Sequence, residues 1–184
     1  MDKQNEPIRA DPDRKRADAF DYGSGFVNPA GALDPGLVYD SQSEDFVAFL
    51  CSIGYDVKSL HLVTRDNSTC DGAFKSPSDL NYPSITVPNL EDSFSATRVV
   101  TNVGKAKGIY EAEVLSPDGV NVTVVPNRLV FTITGQKIKF TVNFKVIAPL
   151  KGYGFGFLTW RSRMSQVTSP IVVKVATASH GLVR

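Results

Sequence analysis

Ser24 stands between Gly23 and Gly25, and the chain carries two histidines, His61 and His180. A serine nucleophile needs a base within hydrogen-bond reach and an acid behind that base to orient it. The strained nucleophile turn G-x-S-x-G is absent around Ser24. His61 sits between Leu60 and Leu62 on an expected helix, and His180 falls in the polar C-terminal stretch. Turn and packing roles are therefore expected for Ser24 and His61, and no catalytic residue is assigned.

Other chemistries fare similarly. There is no H-E-x-x-H, no calcium-loop pattern and no cysteine cluster, so no metal ligand is assigned. Gly152, Gly154 and Gly156 in GYGFGF approach a phosphate-loop pattern, but Phe157 occupies the third glycine position of G-x-G-x-x-G and no helical pattern follows. Those glycines are read instead as points where an edge strand bends or another backbone comes close. No cofactor is expected. Cys51 and Cys70 have eighteen residues between them, too many for a C-x-x-C redox motif, and no further cysteine completes a zinc site. On spacing alone they are either bonded or two free thiols. Two N-glycosylation sequons, Asn67-Ser68-Thr69 and Asn121-Val122-Thr123, mark Asn67 and Asn121 as candidate modification sites, the first lying in the more accessible polar loop. Trp160 is expected in a core.

The elements that would position these residues change character near residue 79. Residues 1–19 hold a basic run, Arg14-Lys15-Arg16, and almost no apolar side chains, which suggests a mobile tail. Glycines, prolines and asparagine then mark tight turns up to Asp40. Ser43 is the expected N-cap of a helix ending at Gly54, with Phe46, Val47, Phe49, Leu50 and Ile53 on one face. Asp56 is expected to cap a second short helix through Val63. Beyond Asp79 the period becomes two: Ile138, Phe140, Val142, Phe144 and Val146 alternate with Lys139, Thr141, Asn143 and Lys145. Val120, Val122 and Val124 do the same, and further β-rich runs fall at 84–87, 97–103, 109–115, 128–132, 155–160 and 171–175. Seven or eight short strands separated by turn residues predict a mainly β fold, an antiparallel β-sandwich.

Hydrophobic content of 42% can fill a core. A net charge of +1 with mixed signs argues against nucleic acid or a membrane surface as partner, since both need a concentrated basic face. No apolar run approaches the roughly 18 residues that span a bilayer, and the polar N-terminus lacks the apolar segment of ~7–15 residues found in a signal peptide.

The stretch FDYGSGFVNPAGALDPGLVYD, Phe20 to Asp40, closely resembles the passage that closes the catalytic domain of plant subtilisin-like serine proteases, the subtilases. DFVAFLCSIGY, DLNYPSITV, TRVVTNVG, GVNVTVVP, FGFLTW and SPIVVKV follow in the family's order, so the resemblance covers nearly the whole chain. Phe26 departs from it, standing where the family usually has His in G-x-G-H-V-N-P. In a complete subtilase this passage packs against the catalytic core, so the resemblance implies that Phe26, Val27, Leu33 and Leu37 lack partners in this chain. The resemblance implies a fibronectin type III-like β-sandwich over 79–177, preceded over 20–78 by a short helical and irregular fringe of a catalytic domain with its linker, with tails at 1–19 and 178–184. It also implies a disulfide between Cys51 and Cys70, which would stabilise the fold by roughly 3 kcal/mol on a chain-entropy argument.

Only nineteen residues precede Phe20, and the family's Asp, His and Ser segments are not among them. The expectation is a non-catalytic C-terminal module with a structural or protein-interaction role. Its expected partner is a subtilase catalytic domain or another protein. The second expectation is an incomplete record of a secreted serine endopeptidase. The family is extracellular, whereas the chain shows no signal-peptide pattern, so the compartment is left open.

Overall fold

The computed structural model describes residues 8–12, 14–72 and 75–176. Nine strands appear among them: β1 (Leu37–Val38), β2 (Ile85–Leu90), β3 (Ser93–Asn102), β4 (Gly108–Leu115), β5 (Val120–Val125), β6 (Arg128–Phe131), β7 (Lys137–Val146), β8 (Tyr153–Arg161) and β9 (Gln166–Val175). They form a four-stranded sheet, β1-β3-β7-β5, and a five-stranded sheet, β2-β9-β8-β4-β6. The mainly β sandwich expected from the alternating pattern is present. One pair departs from the antiparallel rule, because β2 runs parallel to β9, with Ile85 opposite Ile171 and Val87 opposite Val173.

Alternation is what builds the core. Phe140, Val142 and Phe144 of β7 and Val120, Val122 and Val124 of β5 are buried, and Lys139, Lys145, Asn121 and Thr123 between them face out or lie part-way. From the other sheet come Ile85 and Val87, Leu158 and Trp160, Ile171 and Val173, with Leu129 and Phe131. Trp160 is fully buried and meets Phe140 edge-to-face, ring centroids 5.0 Å apart. The GYGFGF glycines lie in β8, which has β9 on one side and β4 on the other. β8 is thus an interior strand, not the edge strand expected. The close-approach reading stands at Gly156, where an added Cβ would run into the Leu115 carbonyl oxygen and Pro117.

The segment ahead of residue 79 is less separate than its sequence suggests. β1 pairs antiparallel with β3, Leu37 opposite Asn102 and Val38 opposite Thr101. Leu37, expected to lack a partner, is 2% exposed and belongs to the sandwich core, and Tyr39 packs edge-on against Phe140. Gly36 makes this entry feasible. It holds φ +75°, and a side chain there would collide with the Tyr110 hydroxyl and Ser165. Its carbonyl accepts from the Val103 and Gly104 amides at 2.9 and 3.2 Å.

Between this strand and β2 lie two helices, α3 (Ser43–Ser52) and α4 (Val57–Thr64), preceded by the single turns α1 (Ala19–Tyr22) and α2 (Pro29–Ala32). The N-cap of α3 is Gln42, one residue before the Ser43 expected, because the Asp45 carboxylate accepts from the Gln42 amide at 2.8 Å. Asp56 caps α4 as expected, accepting from the Ser59 amide at 2.7 Å, and the helix ends one residue later than Val63, with Arg65 left-handed at φ 57°. In the described part of the N-terminal stretch, Arg9 bridges to Arg16, Ala17 is buried and its amide donates to the Ile8 carbonyl at 2.9 Å. The expected tail over 1–19 therefore has local structure between 8 and 19. The tail expected at 178–184 lies outside the described residues.

Leu37→Ala should lower stability by about 2–5 kcal/mol in urea unfolding, because it opens a cavity in the core. Leu33→Ala, at an exposed position four residues earlier, should stay within about 0.5 kcal/mol. Equal effects would show that β1 does not close the sandwich.

Candidate docking surface and its supporting seam

Several sequence motifs resolve into one hydrogen-bonded seam. Asn81, in DLNYPS, accepts from the Val99 amide at 2.8 Å and donates to the Val99 carbonyl at 3.0 Å and the Asp40 carbonyl at 2.9 Å. Its side-chain amide thus substitutes for a strand neighbour on the edge of β3, just beyond the reach of β1. Asn102, in TNVG, is buried; it donates to the Lys105 and Ile133 carbonyls at 2.8 and 3.3 Å and accepts from the Gly104 amide at 3.2 Å. It binds the loop after β3 to the loop after β6. Burying such amides is tolerable only because each finds partners.

Charge reinforces the same seam. The Asp40 carboxylate accepts from the Thr101 hydroxyl at 2.5 Å and pairs with Lys137 Nζ at 3.0 Å. The Thr101 hydrogen bond, and then Lys137, hold its carboxyl below the ordinary value. The Tyr39 hydroxyl meets Ser169 Oγ of β9 at 3.0 Å, linking β1 to the opposite sheet, and burial pushes this phenol up.

Between Gly25 and Gly36 the large apolar side chains face away. Phe26, Val27 and Leu33 are 65%, 90% and 89% exposed, as expected for residues lacking partners. On α3 Phe46 and Ile53 are exposed while Val47, Phe49 and Leu50 are half-buried, so the amphipathic face is only partly covered. Phe20 is largely exposed yet touches Tyr153 and Phe155 of β8 edge-on, at 5.0 and 5.6 Å. A run of exposed large apolar residues of this kind marks an interaction surface.

The candidate chemical residues are not brought together. Ser24 is exposed on a turn whose flanking glycines have φ +57° and +101°. His61 lies on α4, with Nε2 3.0 Å from the Ser68 carbonyl oxygen, a packing contact within the α4 loop. His180 falls outside the described residues. Among the described residues no three His, Cys, Asp or Glu side chains gather as a metal site, and no helix is long and apolar enough to cross a membrane. Cys51, in the last turn of α3, and Cys70, in the loop beyond α4, stand with sulfurs 2.05 Å apart. Asn67 is exposed in that loop, and Asn121 is exposed on β5, an edge strand.

A four-stranded and a five-stranded sheet enclosing one apolar core make this a fibronectin type III-like β-sandwich, with short helices ahead of it. Residues 79–173, just over half of the chain, match the fibronectin type-III domain family, and the chain belongs to that family. It is similar to plant subtilisin-like proteases. Identity is 43% over 175 residues with the Arabidopsis thaliana subtilisin-like protease SBT3.9, covering 94% of this chain, and 44% over 161 residues with SBT3.6 of the same plant, covering 87%. Those alignments cover 23% and 21% of the two relatives, so the chain spans under a quarter of their length. Among solved structures, the ASH/PapD-like domain of human CEP192 aligns over 60% of this chain and 95% of its own. Its 14% identity and TM-score of 0.42 are too slight to bear on fold or function.

Sequence reasoning found the exposed apolar residues but missed the seam. Asn81 and Asn102 stand inside quoted motifs, Asn102 at the end of β3 and Asn81 four residues ahead of β2, and the residue type was the one signal for their roles.

Because the Asp40 carboxyl is held low in the folded state, its contribution to stability is present above the unfolded carboxylate value of about 4 and is lost as the pH falls through the folded value. Asp40→Asn should therefore lower the urea midpoint at pH 7, and the gap to the unsubstituted protein should close on acidification below about pH 4. A gap independent of pH would show that the carboxylate's charge does not hold the seam.

Proposed function

We propose that this chain is a non-catalytic module of a subtilisin-like serine protease, which docks onto the protease's catalytic domain through the apolar surface of residues 20–33. The observation that carries this reading is the contrast across Gly36: Leu37 is fully built into the sandwich, and Phe26, Val27 and Leu33 just before it are almost bare. Exposed leucine and valine in sequence that resembles the end of a subtilase catalytic domain have a natural cover in that domain. Burying them would contribute roughly 1.5–3 kcal/mol each. The same bare surface favours the second reading, that the chain is one piece of a longer secreted serine endopeptidase, in which the docking is intramolecular. In either setting Cys51 and Cys70 form a disulfide under oxidising conditions, and Asn67 carries a glycan once the protein is secreted.

The test is binding in trans to a separately produced plant subtilisin-like protease catalytic domain. The expected result is association that Val27→Asp with Leu33→Asp weakens at least about tenfold, the cost of burying two unpaired charges, while the urea midpoint stays unchanged. Association that ignores both substitutions, or none at all, overturns the docking reading. The chain alone should not react with a fluorophosphonate serine probe; stoichiometric labelling abolished by His61→Ala would restore a catalytic role.

A further inference from the structure

Arg98 occupies a position that the strand pattern reserves for an apolar side chain. Along β3 the inward set runs Ala96, Arg98, Val100, and Arg98 stands opposite Phe140 of β7. It is 2% exposed. A guanidinium carries five N–H donors and stays protonated in proteins. Among the described residues it spends two of them, on the Thr97 carbonyl at 2.8 Å and, at the limit of hydrogen bonding, the Ser84 carbonyl at 3.4 Å. Nε has no partner, and no carboxylate is within ion-pair distance among the described residues. Asp79 acts on Arg98 through space from beyond ion-pair distance, and its carboxylate is itself engaged, accepting from the Ser76 amide at 3.2 Å. Burying a cation in this state is costly unless something else completes its shell.

Beside Arg98 is a pocket of about 490 Å³, within the usual size range for small-molecule sites. It lies at the flank of the sandwich, between α3 and the start of β2. Phe46 and Phe49 of α3, with Leu80, Tyr82 and Pro88, make its wall mainly apolar. Mostly apolar walls with one convergent charge are the composition of a pocket that orients a ligand by a single ionic group.

We propose that this pocket binds a small monocarboxylate with an aromatic or aliphatic body, its carboxylate on the Arg98 guanidinium and its body against Phe46, Phe49 and Tyr82. Charge complementarity selects the anion: a buried guanidinium without an ion pair gains a carboxylate partner. The lining selects the body, because Phe46, Phe49 and Tyr82 offer aromatic surface to an apolar group and the pocket is roomy enough for a ring with a short chain. The pocket is separate from the apolar surface of residues 20–33, so it stands or falls independently of docking.

The probes are 4-phenylbutyrate and its uncharged analogue 4-phenylbutan-1-ol, titrated calorimetrically into the full chain and followed by the aromatic NMR signals of Phe46 and Tyr82. The acid should bind saturably and about tenfold tighter than the alcohol, the difference a charge-assisted hydrogen bond makes. Arg98→Met, similar in length and fully apolar, should abolish the preference. Should that variant fail to fold, Phe46→Asp at the exposed rim keeps the question open to measurement, since it places a repelling charge in the pocket and should remove acid binding with the urea midpoint retained. Equal affinity for acid and alcohol, binding of neither, or acid binding indifferent to Phe46→Asp overturns the proposal. So does binding of an acidic peptide with none of the free acid, which would make the flank a protein contact.

Discussion

The unpaired edge of β3 is the constraint around which the molecule is arranged. β3 supplies Ala96 and Val100 to the core, yet only β7 pairs with it over most of its length. A buried backbone amide or carbonyl without a partner costs as much as a lost hydrogen bond, and a bare edge also invites pairing with other chains. The answer comes from two separate places in the chain. β1 covers Thr101 and Asn102, and the Asn81 side chain covers Val99. Asn81 also holds the Asp40 carbonyl, so the two covers are tied to each other. The fold thereby draws residues 36–40 into a sandwich that residues 79–173 do not close by themselves.

This arrangement explains why parts of the molecule were legible in the sequence and others were not. β7 and β5 announce themselves because each alternates for several residues between a buried and a wet face. β1 is two residues long, and no period can be read from two residues. Periodicity also says nothing about the direction of a partner, so the parallel pairing of β2 with β9 was invisible in an otherwise alternating pattern. β8 passed for an edge strand because its glycines report a close approach by Leu115 and Pro117, and glycine spacing does not say on how many sides a strand is paired.

Resemblance and physics also diverged at Leu37. Sequence placed it with Phe26, Val27 and Leu33 in one fringe whose apolar residues await a missing surface. Three of those four do face solvent. Leu37 does not, because Gly36 adopts a backbone conformation that L side chains rarely reach and delivers the next residue into the core. The boundary between what the sandwich satisfies and what it leaves for a partner is therefore a single glycine.

Arg98 carries the argument one step further. A register that accepts Ala96 and Val100 could take valine at the position between them, which would remove the desolvation cost of a buried guanidinium. At the neighbouring flank Phe46 and Phe49 of α3 line one pocket with Thr86 and Pro88 of β2 and Arg98 of β3, and only part of the apolar face of α3 is covered. An expensive cation beside incompletely covered aromatic rings is a poor way to stabilise a sandwich. It is a coherent way to build a pocket, since the desolvation cost is met in the folded chain and the ionic partner is left for whatever enters. β3 thus sets two demands on the chain: its backbone edge is satisfied internally by β1 and Asn81, and its inward-facing cation remains open at Arg98.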